Sequence, residues 1–380
     1  MRATHLLSPR TYSTLRRLSA LSAAVMLALA TGSCGIGEGT QSLAITSLTA
    51  QEADAAAPQN SRSTMDNDPL SSAEGTVSMV TSHENGEKDA AGGDLTTTVV
   101  SRERSTDTLQ WAVSIKPAVA SPKRTEYSNS AQSAMSEKMD HSSTGSAVVS
   151  PDGRYLSLIL LPAEQKTGET ASDQRTHIVV LDAQTGKAVR TAEVSGVILG
   201  QALTNSALAV ETAQNYFPAG SGKGTITTFS LTDTSAQPSP FPTDKWLVGA
   251  TRENLVLAPD LVPDNCFDEC PMTTVSLIHA DGTTAGSISG VAAIHHGGWI
   301  HRVADPKSGE QQLVNPSIKK TIDVTGKNTF ERGVPTGPGL LVEQEVPNGN
   351  GSTVLKPVFW LSSSDDGHTH TENLEQFENH

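Results

Sequence analysis

The sequence predicts an all-β chain in which one antiparallel unit of four strands is repeated. Three observations carry that expectation. Residues Ser150 to Val194 form a self-contained run of four strand-like segments joined by three turns; weaker copies of that run recur downstream; and an upstream segment alternates as a half-buried strand should.

In the best unit, Pro151-Asp152-Gly153 is turn chemistry, with Pro fixing φ and Gly supplying the positive φ of a tight turn. Ala147-Val148-Val149 precedes it, and Tyr155 to Leu161 follows as an apolar run too short for an ordinary helix. Ile178-Val179-Val180-Leu181 then leads into Asp182-Ala183-Gln184-Thr185-Gly186-Lys187, a polar hairpin with Gly near its end, and Val189, Thr191 and Val194 continue the last strand.

Corresponding strands begin at Tyr155, Ala207, Asn254, Gly298 and Gly339, and polar turns follow at Asp182, Asp233, Asp281, Asn315 and Ser362. A spacing of about 40 to 50 residues with four strands per unit is the signature of a β-propeller, whose blades bury their faces by stacking on each other. Upstream, Thr76–Val80 and Thr96–Ser101 are strand candidates, and Leu109, Trp111, Val113 and Ile115 alternate cleanly. They supply a sixth blade, or strands that close the ring by mixing the two ends of the chain. The expected architecture is a propeller of about six (alternatively seven) four-stranded blades over residues 76–366, with a polar insertion at 121–145.

The flanks read differently. Arg2, Arg10, Arg16 and Arg17 precede an apolar core from Leu18 to Ala30, so residues 1–33 are expected to be an export signal. Thr31-Gly32-Ser33-Cys34 resembles a bacterial lipobox, which implies lipidation of Cys34 and anchoring on the outer face of the cell membrane; the alternative is plain secretion. Residues 34–75, rich in Ser, Ala, Gly and acids, are expected to be a disordered tether with an end-to-end distance of roughly 35 Å. Residues 367–380, with His368, His370, Glu372 and His380, are expected to be a frayed acidic and His-bearing tail.

Three cysteines occur in the chain. Besides Cys34, Cys266 and Cys270 lie four apart in DNCFDEC, where an exported chain is expected to form a disulfide rather than a metal site. The 27 basic residues less the four in the signal leave 23 against 41 acids, a net of −18. Such a charge disfavours nucleic acid and anionic lipid headgroups as partners. No second apolar stretch is long enough to cross a bilayer.

SPDGRYL resembles the Pro-Asp-Gly turn of the WD40-like repeats in TolB-type propellers, and LDAQTGKAV the Asp-x-x-Thr-Gly-Lys turn of quinoprotein-like ones. With the lipobox, the chain resembles exported propeller lipoproteins of high-GC Gram-positive (actinobacterial) bacteria over about residues 145–365. The tryptophan that usually follows the quinoprotein turn is replaced by Ala188, Val189 and Arg190, and the resemblance implies a scaffold without a cofactor.

Chemical motifs are sparse. Ala219 to Thr225 resembles a phosphate loop, but Phe217 stands where the spacing needs Gly, so a Gly-rich hairpin is expected. His295, His296 and His301 bracket Gly297-Gly298-Trp299, and neighbouring His295 and His296 would face opposite sides of a strand. Asp264, Asp268 and Glu269 lack calcium-loop spacing, and no Gly-x-Ser-x-Gly elbow or distinguished carboxylate pair is present. No metal site is expected. The expected function is a non-catalytic binding or scaffold propeller for an envelope protein, peptide or glycan. The alternative is an exported carbohydrate hydrolase or lyase.

Overall fold

Short apolar runs between hydrogen-bonded turns can bury both of their faces only by stacking sheet on sheet, and the chain does this from blade to blade along its length. The computed structural model describes residues 42–57, 70–83, 95–120, 146–162, 168, 170–214, 224–259, 272–349 and 351–377, all within one unit, Gln41–His380. Its elements are β1 (Ala44–Ser47), α1 (Ala50–Ala56), β2 (Leu70–Ser71), β3 (Gly75–His83), β4 (Leu95–Glu103), β5 (Leu109–Lys116), β6 (Ala147–Val149), β7 (Tyr155–Ile159), β8 (Arg175–Asp182) and β9 (Ala188–Ser195). There follow β10 (Val197–Leu203), β11 (Ala207–Ala213), β12 (Gly224–Ser230), β13 (Ser239–Thr243), β14 (Trp246–Ala250), β15 (Leu255–Ala258), β16 (Thr273–Ile278) and β17 (Thr284–His295). The last are β18 (Trp299–Asp305), β19 (Glu310–Asn315), β20 (Lys320–Asp323), β21 (Asn328–Val334), β22 (Gly337–Pro347) and β23 (Thr353–Ser362).

These strands make antiparallel meanders. Blade 1 is β2-β3-β4-β5, blade 2 is β6 to β9, and blade 3 is β10 to β13. One seven-stranded sheet, β14 to β20, holds two blades. The first half of β17 pairs with β16 and the second half with β18, and Gly290, at φ 72°, marks the change just before a bulge at Val291/Ala293. Blade 6 is β21-β22-β23. The inner strand β2 lies against both β6 and β21, so the ring of sheets returns to its start. The fold is an all-β propeller, with six blades among the described residues.

Register explains how each blade serves two seams. In blade 2, Leu156, Leu158, Val179 and Leu181 join an apolar cluster with Val77, Val99 and Val113 of blade 1. Their alternates Tyr155, Ile159, Ile178 and Val180 join another with Leu208, Val210 and Phe229 of blade 3. Ala202, Ala209 and Ile226 meet Leu247, Leu255 and Leu257 between blades 3 and 4, and Trp299 and Leu313 meet Leu340, Val342 and Leu361 between blades 5 and 6. Period-two alternation with both faces apolar is therefore what makes a strand a blade strand here.

The outer hairpin turns of blades 2, 3 and 4, and the link from β20 to β21, repeat one device. The carboxylates of Asp182, Asp281 and Asp323 each accept the backbone N–H and the hydroxyl of a Thr two or three residues on, and Asp233 does the same with Ser235. These bonds hold the Asp233, Asp281 and Asp323 carboxyls below the ordinary carboxylate range.

Three expectations are corrected. The ring is not closed by a sheet mixing the chain's two ends: blade 1 is wholly N-terminal and blade 6 wholly C-terminal. The described part of the expected tether is ordered. β1 pairs with β5 as a fifth strand of blade 1, and α1 is capped by reciprocal Thr49–Glu52 bonds and packs Ala53 and Ala57 on Val100 and Ala112. The expected tail folds back on β23, where His370 bridges Trp360 and Phe377 is buried. The signal 1–33, Cys34 and the insertion 121–145 lie outside the described residues.

The turn at Asp182 is packed by a tryptophan after all, but from the neighbouring blade. Trp111 of β5 donates its Nε1–H to Ala183 O at 2.8 Å, and a Cβ placed on Gly186 would come within 2.6 Å of its ring. Gly186 also holds φ at 67°. Gly186→Ala combines a backbone penalty with a clash and is expected to lower unfolding free energy by about 2 kcal/mol or more, read from urea titration.

Candidate functional site

The outer strand of blade 3 forms one wall of a broad cleft. Pro240 and Pro242 alternate in β13, pairing with Thr227 and Thr225 of β12. A proline has no N–H to offer, so this edge is poorly suited to recruiting a further strand. Between Pro240 and Pro242, Phe241 is pressed against Gly282 of blade 4, where a Cβ would lie 2.8 Å from the ring. Thr243 then turns the chain: its hydroxyl bonds both the N–H and the carbonyl of Lys245, at 3.0 Å each, and delivers that side chain to blade 4.

The cleft has a volume of about 1060 Å³ and opens between blades 3 and 4. Its walls combine the hydroxyls of Thr212, Thr225, Thr243, Ser276 and Thr284 and the main chain at Gly224 and Gly282 with apolar surface from Ala213, Phe241, Pro242, Leu257 and Ile278. Among the described residues, Lys245 is the one cation in the lining and Asp244 the one carboxylate. The ammonium of Lys245 donates to Ser276 Oγ at 2.6 Å, so it is held against β16 of blade 4 rather than left to wave in solvent.

Bonds between the two blades fix the floor. Glu211 is fully buried and accepts the Leu247 N–H at 2.8 Å, beside a bulge at Leu247/Gly249. Thr228 donates to Ala280 O at 2.7 Å. Chemically the cleft offers hydroxyls, carbonyls, one ammonium and an aromatic edge, the inventory that suits a polar, multiply hydrogen-bonding ligand.

The sequence-predicted candidates are scattered. Of the Gly-rich stretch, Gly224 and Thr225 begin β12 and line the cleft, and residues 219–223 lie outside the described residues. Cys266 and Cys270, with Asp264, Asp268 and Glu269, lie outside the described residues, in the connection between the paired strands β15 and β16.

His295 and His301 share one face of blade 5, their ring centroids 6.2 Å apart. His295 reaches across to blade 6, with Nε2 at 3.3 Å from Thr329 Oγ1 and Nδ1 at 3.4 Å from Glu331 Oε1. His301 Nε2 bonds Gln311 Oε1 at 3.1 Å. The His295 ring is thus taken up by partners on blade 6 and the His301 ring by Gln311 of its own blade, and among the described residues no group of three or more His, Cys, Asp or Glu is placed to hold a metal. Lys245 and Phe241 carried no motif that would single them out. The alternating prolines of Ser239-Pro240-Phe241-Pro242 were the available signal.

No known protein family matches the chain, and no curated protein does either. Among solved structures it is similar to the β-propeller domain of the trilobed protease from Pyrococcus furiosus, at 11% identity over 77% of this chain and 82% of that one, with a TM-score of 0.37. It is also similar to Pyrococcus horikoshii acylaminoacyl peptidase, at 10% over 82% and 53% (TM-score 0.36), and to TolB from Acinetobacter baumannii, at 11% over 73% and 62% (TM-score 0.30).

Burial, helped by electrostatic repulsion from the His295 side, holds His301 down at about 4, while its bond to Gln311 works the other way. The unfolded chain therefore takes up the proton first, and stability is lost as pH falls from 6.5 towards 4. Part of the loss in that window, about 2 kcal/mol, should vanish in His301→Gln, read as the difference in urea midpoints between neutral and acid pH.

Proposed function

We propose that this chain is a lipid-anchored extracytoplasmic lipoprotein, attached through Cys34 to the outer face of the cell membrane, whose propeller binds a polar envelope ligand. Its organisation is that of the exported propeller lipoproteins of high-GC Gram-positive bacteria. The ligand is a glycan or an envelope peptide or protein segment, and it sits in the cleft between blades 3 and 4. The observation that carries the reading is the lining: hydroxyls and backbone groups around a tethered Lys245, with Phe241 at the side. Glycans and peptides present the matching alternation of donors, acceptors and apolar faces.

The same lining speaks for binding without turnover. Glycoside hydrolysis calls for two carboxyl groups across the scissile bond, and among the described residues Asp244 stands without a second carboxylate in the lining. Cys266 and Cys270 are proposed to bridge within the connection from β15 to β16.

Two arms test the reading. Cells fed a clickable fatty acid should label the wild type and not Cys34→Ala, which should appear in the medium; an unlabelled wild type would end the lipoprotein claim. Purified domain should be retained on native envelope fragments, and Lys245→Glu should weaken retention about tenfold or more through a reversed charge in the cleft. Equal retention of the two would remove the cleft as the site.

A further inference from the structure

The segment after β23 is built around one imidazole. His370 forms a two-way backbone bridge with Trp360, with N–H to carbonyl distances of 3.0 Å and 2.9 Å. Its ring lies flat on the Trp360 indole, centroids 3.8 Å apart and planes within 8°, and the edge of His368 meets it at 4.8 Å. Nε2 is 2.7 Å from Asp365 Oδ2, and Nδ1 is 2.6 Å from Glu372 Oε1.

Those two distances fix the protonation state. A neutral imidazole has one N–H and one lone pair, so it can donate to one carboxylate only. The second contact would then set a lone pair against a carboxylate oxygen at under 3 Å. Both contacts are favourable when the ring carries both protons and a positive charge, as charge-assisted hydrogen bonds.

Each carboxylate-bearing residue is in turn tied to the body of the propeller. Asp365 O and Ser363 O accept from Nη2 of Arg252, in the first turn of blade 4, at 2.6 Å and 2.7 Å. Ser363 N–H and Oγ both bond Pro338 O of blade 6. Glu372 O accepts the Nε1–H of Trp360 at 3.0 Å. Beyond it, Leu374 and Phe377 cover Val334, Leu341 and Trp360. The segment supplies the outer edge that blade 6 otherwise lacks, and it reaches over blade 5, where Gly367 sits on Ile318, Trp299 and the stem of Lys320.

We propose that residues 363–377 form a proton-operated latch, closed while His370 is doubly protonated between Asp365 and Glu372, and released from the edge of β23 when the ring loses a proton. Besides the two carboxylates and His368, the charged groups in contact with the segment are Arg252, 4.0 Å from Asp366 and bonded to the loop carbonyls, and Lys320. Burial alone would lower the His370 pKa, but the hydrogen bonds and charges of Asp365 and Glu372 outweigh it and the net shift is upward. The latch is therefore fully closed below the ordinary histidine range and opens as pH rises through the raised value, the opposite sense to His301. Release would uncover the outer edge of β23, with Leu355 already 42% exposed on it.

The test is hydrogen exchange by mass spectrometry on the mature protein, corrected for intrinsic rates, between about pH 5.5 and about pH 8.5. The latch predicts that protection of peptides within 363–377 falls about tenfold or more over that range, while peptides of β7 and β8 stay constant. In His370→Gln the same peptides should be poorly protected at every pH. Wild-type protection that does not change with pH overturns the proposal, and so does a His370→Gln protein that retains the wild-type pH profile.

Discussion

Arg104 occupies the place where the ring has to close, and much of the architecture follows from how it does so. Its Nη2 donates to Ser71 Oγ, Ser72 O and Gly75 O at 3.0, 2.8 and 3.1 Å, and its Nη1 approaches Pro335 O of blade 6 at 3.4 Å. Ser71 adds a bond to Gly337 O at 3.2 Å. All these acceptors are neutral oxygens, and burial draws the guanidinium below its ordinary value. The group stays charged regardless, so desolvation is offset by hydrogen bonds alone.

That seam differs in kind from the others. Blades 1 to 2, 2 to 3, 3 to 4 and 5 to 6 each share an apolar cluster. At the seam from 6 to 1 each blade covers its own apolar face instead, blade 1 with α1 and blade 6 with Leu374 and Phe377. The blades meet through inner strands and turns. Bonds between turns continue this belt: Ala73 N–H to Gly153 O, Asp152 N–H to Asn205 Oδ1, Asn205 N–H to Arg252 O, and Arg252 to the loop after β23. Directional bonds thus do at one end of the ring what apolar burial does at the seams, and the latch around His370 is the last link in that chain.

Sequence made the blades legible and the closure illegible for the same physical reason. Period-two alternation and Asp- or Gly-bearing turns are local, so the second strands of blades 2 to 6 start within two residues of the expected positions. Arg104, Ser71 and Arg252 act through partners far along the chain, and nothing in their neighbourhoods marks them. The segment 34–75 looked like a tether because Ala-rich, acidic composition hides a seven-residue helix whose order depends on packing against β4 and β5. The end of the chain looked frayed because the value of His370 lies in Trp360 and Asp365, which only the fold brings to it. Lys245 was invisible for that reason too, since its role comes from Ser276, 31 residues further along the chain.

The account stands or falls on closure through Arg104. Arg104→Ala, followed by hydrogen exchange at neutral pH, is the direct measurement. Loss of these bonds should raise exchange about tenfold or more in β2, β3, β21 and the start of β22, and leave β11, β12, β15 and β16 at wild-type rates. Unchanged exchange at the seam, or an equal rise in all six blades, would contradict a ring held shut by Arg104 together with the Ser71 it positions.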